Sequence, residues 1–217
     1  MPTEALDETA KRILDAATRR FLHYGYSKTT MSEIAKDCNM STGNVYRYFP
    51  SKLDIAETFV RVLRTDQIAK LKAAAGQAGL GPQEKLRSVL KTKFRLAYER
   101  YHNRPKAFEL SGEILKERPE FAVEWEEAEG DVIAEVLRKG EAEGVFPAAD
   151  HPRLAKIVQD AVFRFTTSAI FYEGEFDTLS AELDAVVDLI LDALACRRAS
   201  ATGPLAPGSR RLPQANL

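Results

Sequence analysis

Thr29-Thr-Met-Ser-Glu-Ile-Ala-Lys-Asp-Cys-Asn-Met-Ser-Thr-Gly-Asn-Val-Tyr-Arg-Tyr-Phe-Pro-Ser-Lys52 holds the pattern that decides the fold. Thr30 and Glu33 form a capping box: the threonine hydroxyl accepts from the amide three residues on, and the carboxylate reaches back to the threonine amide. A helix therefore starts at Thr30, with Met31, Ile34, Ala35 and Cys38 as its apolar face. Asn39 tolerates the left-handed backbone of a tight turn. Ser41 or Thr42 then caps a second short helix, whose inward residues by spacing are Val45 and Phe49, and Pro50 closes it. Two short helices around a turn of three or four residues make a helix-turn-helix. Small Ala35 falls where the helices approach closely, and Ile34, Cys38, Met40 and Val45 fall where they pack together.

Ser41, Thr42, Gly43, Asn44, Tyr46, Arg47 and Tyr48 are left outward on or beside the second helix. In this geometry the second helix enters the major groove of DNA by its N-terminal end. Bare Gly43 allows close backbone approach, and the helix N-terminus favours phosphate. Tyrosine hydroxyls and Lys52 can donate to phosphate oxygens, while Arg47 can do the same or pair with a guanine edge. Taken singly, Tyr46 or Tyr48 reads as a half-buried packing aromatic; flanking an arginine inside a complete helix-turn-helix, the pair reads as a DNA contact.

Charge supports this reading. Residues 9–52 carry eight basic and three acidic side chains, a net of +5, in a chain of net charge −1, so the remainder sums to −6. A basic segment beside an acidic body is the asymmetry of a nucleic-acid module joined to something else, although helix faces also vary in charge for no such reason. Upstream, a helix from about Asp7 to His23 carries the stripe Ala10, Ile13, Leu14, Ala17, Phe21 and Leu22. Downstream, Ser51 starts a longer helix toward about Ala74. Further helices are expected at about 82–102, 105–117, 119–143, 151–173 and 177–197, with prolines near their starts. After Arg198, a stretch rich in small residues, proline and glycine is expected to be disordered.

The quoted segment resembles the N-terminal DNA-binding segment of the tetracycline-repressor (TetR) family, and so does the preceding ILDAATRRFLHYGYSKTT with its Phe-x-x-x-Gly-Tyr ending. The resemblance covers roughly residues 10–60. It implies an all-α homodimer of about nine helices that represses transcription and leaves its palindromic double-stranded DNA operator when a small molecule binds the C-terminal domain. By position it implies phosphate contacts for Thr30, Tyr46, Tyr48 and Lys52, and places Thr42, Gly43, Asn44 and Arg47 against bases or nearby backbone. Two departures stand out. Cys38-Asn39-Met40 replaces the common Ala-Gly-Val, and Tyr48 replaces a frequent histidine; Asn39 still makes a turn and Tyr48 still donates. The expected division is a helix-turn-helix DNA-binding domain at 1–52, a connecting helix at 53–75, a helical-bundle ligand-binding and dimerisation domain at 76–197, and a tail at 198–217.

Beyond residue 75 the resemblance is architectural only. The last helix has Leu183, Val186, Val187, Ile190 and Leu194 on one side, with Leu189 and Ala193 widening the arc so that it can face both its own body and another chain; with Phe165 from the helix before it these form the expected two-fold dimer interface, and a monomer core is the alternative. The candidate ligand pocket takes Phe94, Tyr98, Tyr101, Phe108, Trp125 and Phe163 with polar Ser111 and Thr166, and Glu113 and Arg164 are further polar candidates for orienting a ligand. Aromatics at helical spacing also pack as core, and that alternative stays open. The expected effector is a small apolar or aromatic molecule between the helices at 82–117 and 151–173. A regulator whose C-terminal domain only dimerises or recruits a protein is the alternative reading.

Other classes find little support. No apolar run approaches the roughly 20 residues of a membrane span, and the first dozen residues do not read as a secretory signal, so the cytoplasm is the expected location. Cys38 and Cys196 suggest neither a disulfide framework nor a metal site, and His23, His102 and His151 have no partner at ligand spacing; no cofactor or metal is expected. Nothing forms a phosphate loop, a nucleophile elbow or another catalytic constellation, so an enzyme is not expected. Glu124, Glu126, Glu127 and Glu129 read as a solvated acidic run.

Overall fold

The computed structural model describes residues 6–172 and 174–202, and within them every regular element is helical. In chain order these are α1 Glu8–Tyr24, α2 Met31–Asp37, α3 Thr42–Tyr48, α4 Lys52–Ala75, α5 Pro82–Asn103, α6 Pro105–Glu117, α7 Glu120–Ala142, α8 His151–Ala161, the single-turn α9 Ser168–Phe171 and α10 Phe176–Thr202. A 3-10 turn, Phe163–Thr166, separates α8 from α9.

Side-chain capping starts the N-terminal helices. Asp7 accepts from the Ala10 amide at 2.8 Å, Ser41 from the Asn44 amide and Ser51 from the Asp54 amide, each at 3.2 Å. At α2 both halves of the capping box are present. Asn39 occupies the turn with φ 53, the left-handed conformation that asparagine accepts more readily than most side chains. Gly25, with φ 94, ends α1.

The apolar residues form two clusters. One gathers Ile13, Ala17 and Phe21 of α1, Ile34, Ala35 and Cys38 around α2, Val45 and Phe49 around α3, and Ile55, Ala56, Phe59 and Val60 of α4. Ala107, Leu110 and Ile114 of α6 and Phe121 of α7 belong to the same cluster. The other is built from α5, α7, α8, α9 and α10, with Leu71 at the far end of α4. Helix α4 is thus shared: its first half is buried in the head, and its second half packs on the body.

Ion pairs brace the head. Arg20 of α1 holds Asp37 through two bonds of 2.6 and 2.9 Å and lies 3.2 Å from Glu33. The paired guanidinium keeps Asp37 below the usual carboxylate range, and hydrogen bonds from Thr30 do the same for Glu33. Arg118, just past α6, reaches Asp54 and Glu57 of α4 at 3.4 and 3.6 Å.

The long helix expected over 151–173 is broken. The Thr166 and Thr167 hydroxyls donate to the carbonyls three residues back, at 2.9 and 3.0 Å, and such bonds compete with the helical ladder. Thr167 then takes an extended backbone, φ −99 and ψ 149. At the other end α10 continues to Thr202, so 198–202 are helical where the sequence suggested a tail. The rest of that expected tail, 203–217, lies outside the described residues.

Candidate functional site

The head presents α3 outward. Val45 and Phe49 are buried, and Tyr46, Arg47 and Tyr48 are exposed, the tyrosines by 48% and 37%. Among the described residues Tyr46, Arg47 and Tyr48 make no hydrogen bond or ion pair within the chain, so two hydroxyls and a guanidinium stand ready for an external acceptor. Ser41 and Gly43 are also exposed, and Thr42 and Asn44 are half-buried beside them.

Two of the named contacts are differently occupied. The Thr30 hydroxyl donates to Glu33 Oε2 at 2.8 Å and accepts from the Glu33 amide, so it serves the capping box first. The Lys52 ammonium donates to the carbonyls of Tyr26 and Thr29, each at 2.8 Å, and lies 4.2 Å from the Tyr26 ring centroid. Burial lowers its pKa. Lys52 therefore pins the loop between α1 and α2 to the start of α4, with at most one N–H left for phosphate. Lys28, exposed in that loop, has no intrachain bond among the described residues and supplies a cation beside Thr30 that sequence reasoning passed over.

Below the head lies a cavity of about 600 Å³ between α4, α5, α6, α7 and α8. Of the expected pocket residues, Phe108, Ser111, Trp125, Phe163 and Thr166 line it. Phe94, Tyr98 and Tyr101 do not. Phe94 is 1% exposed and stacks on Phe176 at 5.2 Å, with Tyr98 and Phe171 closing an aromatic cluster around it; Tyr101 packs edge-on against Phe108 and at 5.4 Å from Phe171. Phe94 is core, and Tyr98 and Tyr101 are half-buried against the same cluster. Glu113 faces outward and pairs with Lys116, and Arg164 is exposed near Glu182 at 3.9 Å.

One end of the cavity carries charge. Glu129, Lys93 and Gln67 are buried there, with Arg64 and Arg100 beside them. Lys93 Nζ lies 2.7 Å from Glu129 Oε2, Arg64 lies 3.7 Å from Glu129 Oε1, and the Gln67 amide donates to the same oxygen. Arg64 and Arg100 both donate to the Gln67 carbonyl oxygen. Burial, and after it the neighbouring Arg100, lower the Arg64 pKa to about 10 against the opposing pull of Glu129. Arg64 also stacks over the Trp125 ring at 4.2 Å. Glu129 is thus no part of a solvated acidic run: Glu124, Glu126 and Glu127 are exposed, and Glu129 is buried among cations.

The signal for this cluster lies in the apolar stripes. Val60, Arg64, Gln67 and Leu71 follow one face of α4, and Leu86, Leu90, Lys93, Ala97 and Arg100 one face of α5. A charged residue within such a stripe is turned inward with it.

The expected dimer residues divide between the protomer's interior and its flank. Phe165, Leu183, Val187 and Leu194 are at most 3% exposed inside the protomer's own body cluster, where α10 packs on α5. Val186 and Ile190 are half-buried on its flank. Apolar side chains left uncovered on α10 and α8 include Leu189, exposed by 69% between exposed Ala185 and Ala193, and Ile157, exposed by 52%.

Residues 13–58 match the family model described as bacterial regulatory proteins, tetR family, and residues 82–187 match that of the tetracyclin repressor-like C-terminal domain. Over 88 residues the chain is 35% identical to the HTH-type transcriptional regulator BetI of Agrobacterium fabrum, a match spanning 39% of this chain and 40% of that protein. The chain therefore aligns with less than half the length of that relative. Among solved structures it is similar to Thermus thermophilus FadR, a TetR-family transcriptional repressor in complex with lauroyl-CoA. That match has a TM-score of 0.61 and 26% identity, covering 92% of this chain and 99% of that one. The fold is also that of the fatty acid degradation regulator FadR from Bacillus halodurans, with a TM-score of 0.63, 20% identity, and coverage of 86% and 96%.

Proposed function

The chain belongs to the TetR family of transcriptional regulators, and from that premise we propose that it is a homodimeric repressor released from a palindromic operator by a small molecule in the α4–α8 cavity. The observation that carries this reading is the course of α4, which is buried in the DNA head at Ile55–Val60 and lines the cavity at Arg64 and Gln67. Helix α6 repeats the arrangement, with Ala107, Leu110 and Ile114 in the head cluster and Phe108, Ser111 and Gly112 on the cavity. A molecule that moves either wall moves the head. The lauroyl-CoA held by the T. thermophilus repressor supports a ligand with an apolar chain.

On DNA, Tyr46, Tyr48 and the backbone at the start of α3 meet phosphates, with Thr30 and Lys52 contributing what their internal bonds leave over. Arg47, Thr42, Gly43 and Asn44 face base edges, and Ser41 caps the helix that carries them. The division at about residues 52 and 75 is functional: reading head, connecting helix, sensing and dimerising body. The second copy docks on the surface around Leu189 and Ile157, which sets two heads at half-sites about 34 Å apart.

The test is a footprint on DNA flanking the protein's own gene, with and without a metabolite panel that has first been ranked by thermal shift. A palindromic footprint that disappears with a stabilising ligand supports the reading. A footprint unaffected by every ligand that raises the melting temperature favours a regulator whose body only dimerises.

A further inference from the structure

We infer that the effector is an organic acid, its anionic head seated on Arg64 and Arg100 and its apolar body lying along Trp125, Phe108 and Leu115. The inference rests on the effector reading above and names the chemistry of that same cavity.

The argument is one of charge balance. Three cations, Arg64, Lys93 and Arg100, meet the single carboxylate of Glu129 at the inner end of the cavity. Lys93 holds one carboxylate oxygen at 2.7 Å, while Gln67 and the more distant Arg64 share the other. Arg100 has no carboxylate within ion-pair distance among the described residues; its partner there is the Gln67 carbonyl oxygen. Lys93 is buried and Arg64 and Arg100 are half-buried, and an excess of two positive charges in such surroundings is costly unless it is met by a counter-ion. Guanidinium groups present paired N–H donors that match a carboxylate, and Arg64 is held in place by Trp125 and Gln67.

The excess is confined to the interior. At the outer edge Lys156 is shared by Glu126 at 2.7 Å and Asp160 at 3.5 Å, so that edge carries one more acid than base and offers an anion nothing. Between the two ends the wall is apolar, formed by Ala97, Phe108, Leu115, Ala122 and Trp125. An occupant that satisfies both parts is charged at one end and apolar along the rest, with its charge innermost.

The experiment compares decanoate and 2-naphthoate with decan-1-ol, 2-naphthol, acetate and sodium chloride, reading the melting temperature and operator affinity of the full chain. At least one of the two acids should raise the melting temperature and weaken operator binding, and its neutral counterpart should do neither. In Arg64→Gln and Arg100→Gln the acid's affinity should fall about tenfold or more, the scale of one lost charged hydrogen bond. Either variant leaves Lys93 on Glu129, and an unliganded melting temperature near wild type verifies folding; Arg64→Lys should recover part of the affinity.

Equal stabilisation by the neutral counterparts would overturn the acid and leave the effector reading standing. Equal stabilisation by acetate or chloride would overturn the apolar body. No shift with either acid would overturn the inference outright. An acid that binds through both arginines yet leaves operator affinity unchanged would uphold the anion site and refute release by it.

Discussion

Replacing Glu129 by Gln is the perturbation that most directly tests the charge arrangement beneath the DNA head. The substitution keeps the side chain's size and removes the carboxylate that faces Arg64 and Lys93, with Arg100 close by. Lys93 loses an ion pair of 2.7 Å with a carboxylate whose side chain is 9% exposed, and breaking a buried pair from one side destabilises by about 3–5 kcal/mol. Arg64, already lowered to about 10 by burial, loses the interaction that opposes that drop. For a chain of this size each kcal/mol shifts the melting temperature by roughly 2–4 °C, so Glu129→Gln is expected to melt roughly 10 °C below wild type. Calorimetry or circular dichroism measures it directly.

The sign at the arginines is different, and this makes the test sharp. A cation whose folded pKa lies below its unfolded value weakens the fold at neutral pH, and that penalty is relieved only as the pH rises through the folded value near 10. The drop corresponds to roughly 3 kcal/mol against the charged form, part of which the stack on Trp125 returns. Arg64→Gln should therefore be neutral or mildly stabilising in the absence of ligand, and Glu129→Gln with Arg64→Gln should recover much of the single variant's loss. A Glu129→Gln protein melting within 2 °C of wild type, or an Arg64→Gln protein as damaged as Glu129→Gln, would refute the reasoning.

Other outcomes follow from the head and the free surface. Tyr46→Phe should weaken binding to all DNA sequences and leave the slope of its salt dependence nearly unchanged, whereas Arg47→Ala should make that slope shallower and relax sequence preference, both read by titrations at several salt concentrations. Lys52→Ala should lower the melting temperature as well as affinity, because its ammonium holds the Tyr26 and Thr29 carbonyls; an unchanged melting temperature would contradict the internal role. Leu189→Glu should shift the chain from dimer to monomer in sedimentation and leave its helicity intact. Glu33 and Asp37 have folded pKa values below their ordinary ones, so the stability they add is present above about pH 4 and is lost as the pH falls through the folded values. Glu33→Gln should flatten that part of the acid-unfolding curve.

The sequence revealed the head almost completely and the cavity only in outline, for a physical reason. Capping is local: Thr30, Glu33, Ser41 and Ser51 act within three residues of themselves, so spacing alone locates α2, α3 and the start of α4. Asn39 announced its φ of 53 by its type. The cavity depends on which helices meet. Aromatics at helical spacing carry no mark that separates Phe94 of α5, sealed against Phe176, from Phe108 of α6, which opens on the cavity. Glu129 sits in the sequence among three exposed glutamates, and only its distance from Lys93 sets it apart. The apolar arc on α10 is wide enough to face two ways, and only the packing of α5 separates Leu183 and Val187, which are buried, from Leu189, which is bare.

The shared walls impose a limit on how the cavity can control the head. Full release of a repressor that is almost wholly bound requires a ligand that favours the released arrangement by roughly 5.5 kcal/mol. Apolar contact alone gives little of this if the chain lies equally well in both arrangements, because equal affinity shifts nothing. Charge discriminates better. The separation of Arg64 on α4 from Arg100 on α5 is set by how α4 stands against the body, and a carboxylate bridging both guanidiniums holds best at one separation. In the proposed mechanism like-charge repulsion opposes the close approach of the two arginines, and an anion bound between them offsets it. Because the same α4 is fixed to the reading head through Ile55, Phe59 and the Arg118 pairs with Asp54 and Glu57, the change in separation is passed to α3 as a displacement of the whole head. Gln67, whose carbonyl oxygen takes both arginines and whose amide holds Glu129, is then the residue through which the two helices sense one another. Gln67→Leu, which frees both guanidiniums, should reduce the effect of bound acid on operator affinity by more than it weakens acid binding itself, and an undiminished effect at saturating acid would separate anion binding from the movement of α4.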